Sequence, residues 1–371
     1  MLLAAEAAKR SLRVSAKGYV PLLCALLALP AIGCAHYASP NGTPDTPVRI
    51  PLTVAENPHF GTYSAKITIA LGNGKPLPFG FDSGSSGLHA FADAGLDAPG
   101  SGVQCTQTPT HVTYGNPPRI TFSGVVCYAQ LHFAKLSTPA AVPIAYLTSA
   151  SCPSTNPECR LPNLHSPKAM DGYGIFGAGL TGVMSGDGNV PNPILMLSGR
   201  RGTTYNVILT RNGGTLELGG DEPPGSAEFQ LEPGTRPGQR YALPRTCLFV
   251  NGRATSTCLL ISFDTGNGVP WIHSADARDI PQHNGLVTPG TRLGFAPPGA
   301  ATEASSVVAG TSFADSIRIV DIPGKPPLTN AGIQAFFDRV VTYDDARGVI
   351  SVGYRTSHVS GLTGSQSILS R

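Results

Sequence analysis

Two short runs, one in each half of the chain, carry the residue types that acid–base chemistry needs: PFGFDSGSSG around Asp82 and LLISFDTGNG around Asp264. In both, an apolar stretch ends in Phe-Asp, followed by a hydroxyl residue and a glycine. A strand ended in this way delivers its aspartate to a turn. The hydroxyl of Ser83 or Thr265 can bond across to a facing loop, while Gly84 and Gly266 permit a sharp backbone path whose amide points at the carboxylate. Two carboxylates held about 3 Å apart cannot both ionise, so they share one proton. One then acts as base and the other as acid, which suffices to activate a water molecule without any covalent intermediate. The proton affinities belong to the pair and not to either residue. A single Asp-Ser/Thr-Gly tripeptide says little, but two in matching apolar contexts form a weak internal repeat.

Other chemistries find no support in the sequence. Its nine histidines form no HExxH motif, no Cys-x-x-Cys pair suggests zinc, and no Gly-x-Ser-x-Gly elbow offers a serine nucleophile, so neither a metal nor a cofactor is expected. Trp271, seven residues after Asp264, reads as core or cleft wall. The net charge of +3 resides entirely in residues 1–33, where Lys9, Arg10, Arg13 and Lys17 stand against Glu6. The remainder is neutral and has no basic patch interleaved with aromatics, which argues against a nucleic-acid partner.

The elements that must position the two aspartates read as strands. With 41% apolar and 13% charged residues the chain is globular, and its 44 glycines and 34 prolines interrupt runs rich in Val, Ile, Thr and Phe. The fold class is therefore all-β with few short helices. The best helical candidates are Lys168–Asp171 and Asn330–Val341. The Pro- and Gly-rich stretch Asp221–Ser226 is the natural boundary between two β lobes of comparable size, 49–221 and 222–356, and 357–371 is a polar tail.

Residues 1–33 read as a secretory signal, with a basic region ending at Lys17 and then 16 uncharged residues from Gly18 to Gly33. That stretch holds two prolines and is short for a membrane-spanning helix. Ala31-Ile32-Gly33-Cys34 resembles the bacterial lipobox, which implies cleavage before Cys34 and a diacylglycerol on its sulfur. Residues 34–48 are polar and Pro-rich, a flexible tether to the membrane. The protein is then expected in the cell envelope, facing the periplasm; Ala35, where enteric lipoproteins carry an Asp retention signal, points to the outer membrane. Setting aside Cys24 and Cys34 leaves six cysteines, an even number suited to disulfides in an oxidising compartment. Many pairings are open, and sequence proximity favours Cys105 with Cys127, Cys152 with Cys159, and Cys247 with Cys258.

From about Tyr63 to Tyr354 the sequence resembles the pepsin-like aspartic protease family. FDSGSSGL at Phe81–Leu88 and FDTG at Phe263–Gly266 resemble its two active-site loops, HVTYG its flap, and Gly174-Ile175-Phe176-Gly177 the segment behind the first aspartate. Residues 328–354 resemble the closing helix and strands, with Gly332 as the buttressing glycine. The resemblance implies a bilobal fold, catalytic Asp82 and Asp264, a bond from Ser85 to the outer oxygen of Asp82, and Tyr114 with Gly115 closing over an extended peptide in the cleft. It implies a monomeric, envelope-anchored endopeptidase acting on a peptide or protein substrate; the alternative is a catalytically silent module of the same fold that binds a peptide or envelope partner. The family pattern is broken at four places. His89 stands for the tryptophan that bonds the flap tyrosine, and Asn116-Pro117-Pro118 stands at the flap tip. Asn267 replaces the hydroxyl residue that bonds Asp264, its amide being able to donate instead, and Asn330-Ala331 replaces two large apolar residues before Gly332.

Overall fold

Burial alternates along the first strand, Val48–Asn57: Ile50, Leu52 and Val54 are buried and the residues between them exposed, the period of a strand with one face on a core. This computed structural model describes residues 46–57, 61–115, 120–154, 172–181, 190–235, 238–273, 277, 279–321 and 326–355. Cys34, the signal segment and the tether up to residue 45, Lys168–Asp171, Cys159, the Asn116-Pro117-Pro118 tip and the tail 357–371 lie outside the described residues, and Val48, the expected end of the tether, already opens the first strand. Within them the regular structure is strand, with only short 3₁₀ turns between, so the all-β expectation holds.

Two sheets account for nearly all of it. The larger has 15 strands; its long path runs from Ala227–Gln230 through Val349–Tyr354, Arg339–Asp344 and Thr204–Thr210 to the strands around Asp82, and ends at Gln104–Tyr114. The smaller has nine strands, among them Arg245–Val250, Arg253–Ser262, Trp271–His273 and Leu328–Asn330. Three strands that follow residue 222 in sequence thus belong to the larger sheet.

The internal repeat legible in the sequence is a repeat of strand pairing. Leu77–Asp82 pairs in parallel with Gly174–Ala178, which pairs antiparallel with Ser86–Phe91, which pairs in parallel with Val142–Ser151. In the second half Arg253–Ser262 pairs in parallel with Leu328–Asn330, that strand antiparallel with Trp271–His273, and the last in parallel with Arg318–Val320. Each aspartate therefore leaves a strand whose neighbour threads directly behind it. Phe81 and Phe176 stack behind Asp82 with ring centroids 6.0 Å apart, and Phe263 meets Phe229 edge-on at 5.0 Å behind Asp264.

The helix expected over Asn330–Val341 does not form. Asn330 ends a strand, a single 3₁₀ turn covers Ile333–Phe336, and Arg339–Asp344 runs as a strand paired on both sides. Gly332 at φ +64° and Asp338 at φ +63° break any helical path, and the two ladders of Arg339–Asp344 outweigh the short helical period read from sequence.

Two of the favoured disulfides are present, Cys105–Cys127 and Cys247–Cys258, each joining residues directly opposite in a hairpin. Cys152 is also disulfide-bonded. The Cys247–Cys258 bridge closes a loop in the hairpin that feeds Asp264. Cross-linking a loop of that length restricts the unfolded chain by about 3 kcal/mol. Replacing both cysteines by serine is expected to lower unfolding stability by about that amount, read as an earlier urea midpoint with a slope no shallower than that of the bridged protein.

Candidate active site

The two aspartates are brought together by bonds between the residues that follow them. Ser83 N–H donates to the Thr265 hydroxyl at 3.0 Å, and Thr265 N–H to the Ser83 hydroxyl at 3.1 Å. Each hydroxyl then donates to the carbonyl just before the opposite aspartate, Ser83 to Phe263 O at 2.9 Å and Thr265 to Phe81 O at 2.8 Å. All four bonds are buried. The sequence-based expectation that these hydroxyls bond across to the partner loop is met in both directions.

The glycines of the two loops let the carboxyls approach. A methyl group at Gly84 would fall 2.2 Å from the Asp264 carboxyl carbon, and one at Gly266 would fall 2.5 Å from that of Asp82. No side chain fits at either place. With glycine there, the carboxyls of Asp82 and Asp264 lie within hydrogen-bond reach of each other.

Their surroundings differ. Asp82, half-buried, accepts three hydrogen bonds: from Gly84 N–H at 2.8 Å, from Ser85 N–H at 3.2 Å, and from the Ser85 hydroxyl at 2.6 Å on its outer oxygen. Ser85 thus does what the resemblance implies. Asp264 is buried and accepts two, from Gly266 N–H at 2.8 Å and from the Asn330 amide at 2.6 Å. Burial first, and the neighbouring Asp82 carboxylate second, hold the Asp264 carboxyl well above the usual carboxylate range, against the Asn330 and Gly266 donors. Its surroundings therefore favour the protonated form.

The Asn267 side chain does not bond the Asp264 carboxylate, and that expectation is corrected. Its amide donates to Val269 O at 2.8 Å, the local side-chain-to-backbone bond that asparagine readily makes in turns, and its own carbonyl accepts from Ile333 N–H. Asn330 takes the position instead. The residue that breaks the family pattern behind the second loop is what ties that loop down.

The flap tyrosine is held as well. Gln104–Tyr114 and Ile120–Ala129 form an antiparallel hairpin with Tyr114 opposite Ile120 next to its tip. The Tyr114 hydroxyl lies 2.5 Å from His89 Nδ1, and the two rings meet edge-on. Histidine at position 89 therefore reaches the flap tyrosine from a buried strand site. Burial of the hydroxyl, and then the charge of Asp82, push Tyr114 well above the ordinary tyrosine range, so it stays neutral. Between Tyr114, Gly115 and Asp82 lies a cavity of about 290 Å³, walled also by Tyr63, Ile175 and Thr265. Arg211 fixes one wall: its guanidinium donates to the Tyr63 hydroxyl at 2.6 Å and to Asp315 at 2.9 Å, while lying over the Tyr63 and Phe337 rings.

Sequence reasoning missed Asn330 as a partner of Asp264, and Arg211. It also missed Tyr205 and Tyr343, which stack 5.1 Å apart beneath the site and send their hydroxyls to Ala178 O and Phe263 O respectively. Asn330 could have been found by aligning the two halves, because it stands two residues before its aspartate in the parallel pairing, as Ile175 does. Among the described residues no group of three or more His, Cys, Asp or Glu side chains could hold a metal ion.

The raised Asp264 makes a sign-definite demand on stability. A carboxyl whose folded value is raised contributes stability that is full below the unfolded value near about pH 4 and is lost as pH rises through the folded value. Asp264→Asn, neutral throughout, is expected to gain on the wild type in unfolding free energy steadily above about pH 4. Urea titrations across a pH series check this, and a difference independent of pH contradicts it.

No protein-family model and no curated protein matches this sequence. Among solved structures, the crystal structure of aspartic proteinase from Irpex lacteus is similar, with a TM-score of 0.57 and 14% identity over 85% of this chain and 99% of that one. The likeness is one of architecture: this chain has the bilobal, nearly all-β fold of the pepsin-like aspartic proteinases.

Proposed function

We propose that the protein is an aspartic endopeptidase that hydrolyses peptide bonds with a water molecule activated between Asp82 and Asp264. The observation that carries this reading is the pair of carboxyls brought together by loops that leave no room for a Cβ between them, with Asp264 raised first by its burial and then by the neighbouring Asp82. The ionised partner takes a proton from water as the water oxygen bonds to the peptide carbonyl carbon. The protonated one gives its proton to the carbonyl oxygen, and the tetrahedral diol forms without net change in protons on the pair. As the diol collapses, Asp82 gives the proton it took from water to the leaving nitrogen, a diol hydroxyl gives its proton to Asp264, and the carbon–nitrogen bond breaks to release acid and amine with the pair restored. Tyr114, neutral and held by His89, lines the cavity beside Asp82, where it would shield a bound peptide from bulk water. An extended peptide would bind there by strand-like backbone bonds.

Activity requires Asp264 protonated, so cleavage is expected on the acid side and to fall as pH rises through its raised value. Denatured protein incubated with the purified chain between about pH 3 and about pH 7 tests this. Asp82→Asn and Asp264→Asn are each expected to reduce cleavage by about 10²–10⁴-fold. Cleavage that survives both substitutions sinks the assignment; capture of peptide without any turnover favours the silent binding module.

The N-terminal reading belongs to the same proposal: export, diacylglycerol on Cys34, and the 34–48 tether holding the enzyme at the envelope membrane. In bacterial cells, labelled palmitate is expected to enter the full chain and not its Cys34→Ala variant, which should leave the membrane fraction. Equal labelling of the two proteins refutes the anchor.

A further inference from the structure

The loops around Asp82 and Asp264 follow the same path but are tied down by different chemistry. On the Asp82 side the outer oxygen meets a hydroxyl from Ser85, three residues on in the same loop. On the Asp264 side the donor is an amide from another strand, 66 residues away, at the place where the first half has Ile175. Asn330 is 1% exposed, and its orientation is set by the backbone: Gly332 N–H donates to Asn330 Oδ1 at 2.9 Å, which turns the NH₂ group toward Asp264 Oδ2.

We propose that Asn330 is a positioning residue that confines the proton of Asp264 to the space facing Asp82. An amide NH₂ only donates, whereas a hydroxyl donates or accepts. Asp264 Oδ2 must therefore offer a lone pair to Asn330 in either protonation state, and Gly266 N–H makes the same demand on Oδ1. One lone pair remains on each oxygen, and the group packed against this carboxyl across the two loop glycines is the Asp82 carboxyl. Ser85 imposes no such restriction on Asp82. A donor-only partner also favours the carboxylate over the acid. Asn330 thus opposes the burial that keeps Asp264 protonated and limits how far into the neutral range the pair keeps its proton.

This inference rests on the reading of Asp82 and Asp264 as a working pair, and its test separates the two. Asp264 is followed by carbon-13 NMR of aspartate-labelled full-length protein, assigned through Asp264→Asn, and the alkaline limb of kcat/KM is measured in parallel. In Asn330→Leu, which restores an apolar residue as at Ile175, both midpoints are expected to rise by about one pH unit, a tenfold weaker acid. Adding Asn267→Ser, which gives the second loop the hydroxyl that Ser85 gives the first, should bring them back. Should Asn330→Leu not fold, Asn330→Ala supplies the same comparison. Folded variants whose Asp264 titrates as in the wild type, or that lose activity with the alkaline limb in place, overturn the proposal. A wild type that cleaves nothing while the NMR midpoint shifts as described defeats the proposed activity and leaves this inference standing.

Discussion

The reciprocal bonds between Ser83 and Thr265 are the constraint on which the site depends. Two segments more than 180 residues apart in sequence are locked face to face by two N–H···O bonds and two O–H···O bonds, all buried. A buried donor or acceptor left unpaired costs about 1–3 kcal/mol, so this arrangement satisfies either all of its members or few of them. It leaves little freedom in the spacing of the two aspartates. Bringing two carboxyls together out of water is unfavourable by itself, and packing must enforce it. The enforcement is visible in Gly84 and Gly266, each covered by the opposite carboxyl with no room for a methyl group.

Below the loops, the larger sheet supplies the support. Tyr205 and Tyr343 occupy directly opposed positions on neighbouring strands, stack with nearly parallel rings, and reach one half of the site each. Tyr343 bonds the carbonyl of Phe263, which also accepts from Ser83; Tyr205 bonds Ala178 O, at the end of the strand behind Asp82. A strand from each half of the chain thereby connects the Asp82 loop to the Asp264 loop.

The pair is asymmetric, and the asymmetry has a physical origin. Asp82 has three donors and a cavity beside it, whereas Asp264 has two donors and is buried. Solvation thus differs between two groups whose local sequence is nearly the same, which is how paired carboxyls come to play opposite roles. His89 and Arg211 extend the ordered region outward, the first through the Tyr114 hydroxyl and the second through Tyr63, so that two walls of the cavity are positioned by polar bonds as well as by packing.

The all-β class, the two Phe-Asp-hydroxyl-Gly turns, the Ser85 bond to Asp82, the flap tyrosine and two disulfide pairings were legible in the sequence. The strand class, the turns and the pairings depend on local rules, namely period-2 burial, turn chemistry and residues opposed across one hairpin, while the Ser85 bond and the flap tyrosine were implied by the resemblance to the pepsin-like family. The partner of Asp264 was not legible, because two asparagines of equal donor capacity, Asn267 and Asn330, compete for one carboxylate oxygen. The family resemblance pointed to Asn267. Only the tertiary structure decided it, since Asn267 satisfies its amide on Val269 O within its own turn, and parallel pairing with Arg253–Ser262 carries Asn330 to the carboxylate. For the same reason the short helical period after Asn330 gave way to a strand: edges of a large sheet were open to Arg339–Asp344, and long-range ladders of that kind leave no mark in the local sequence.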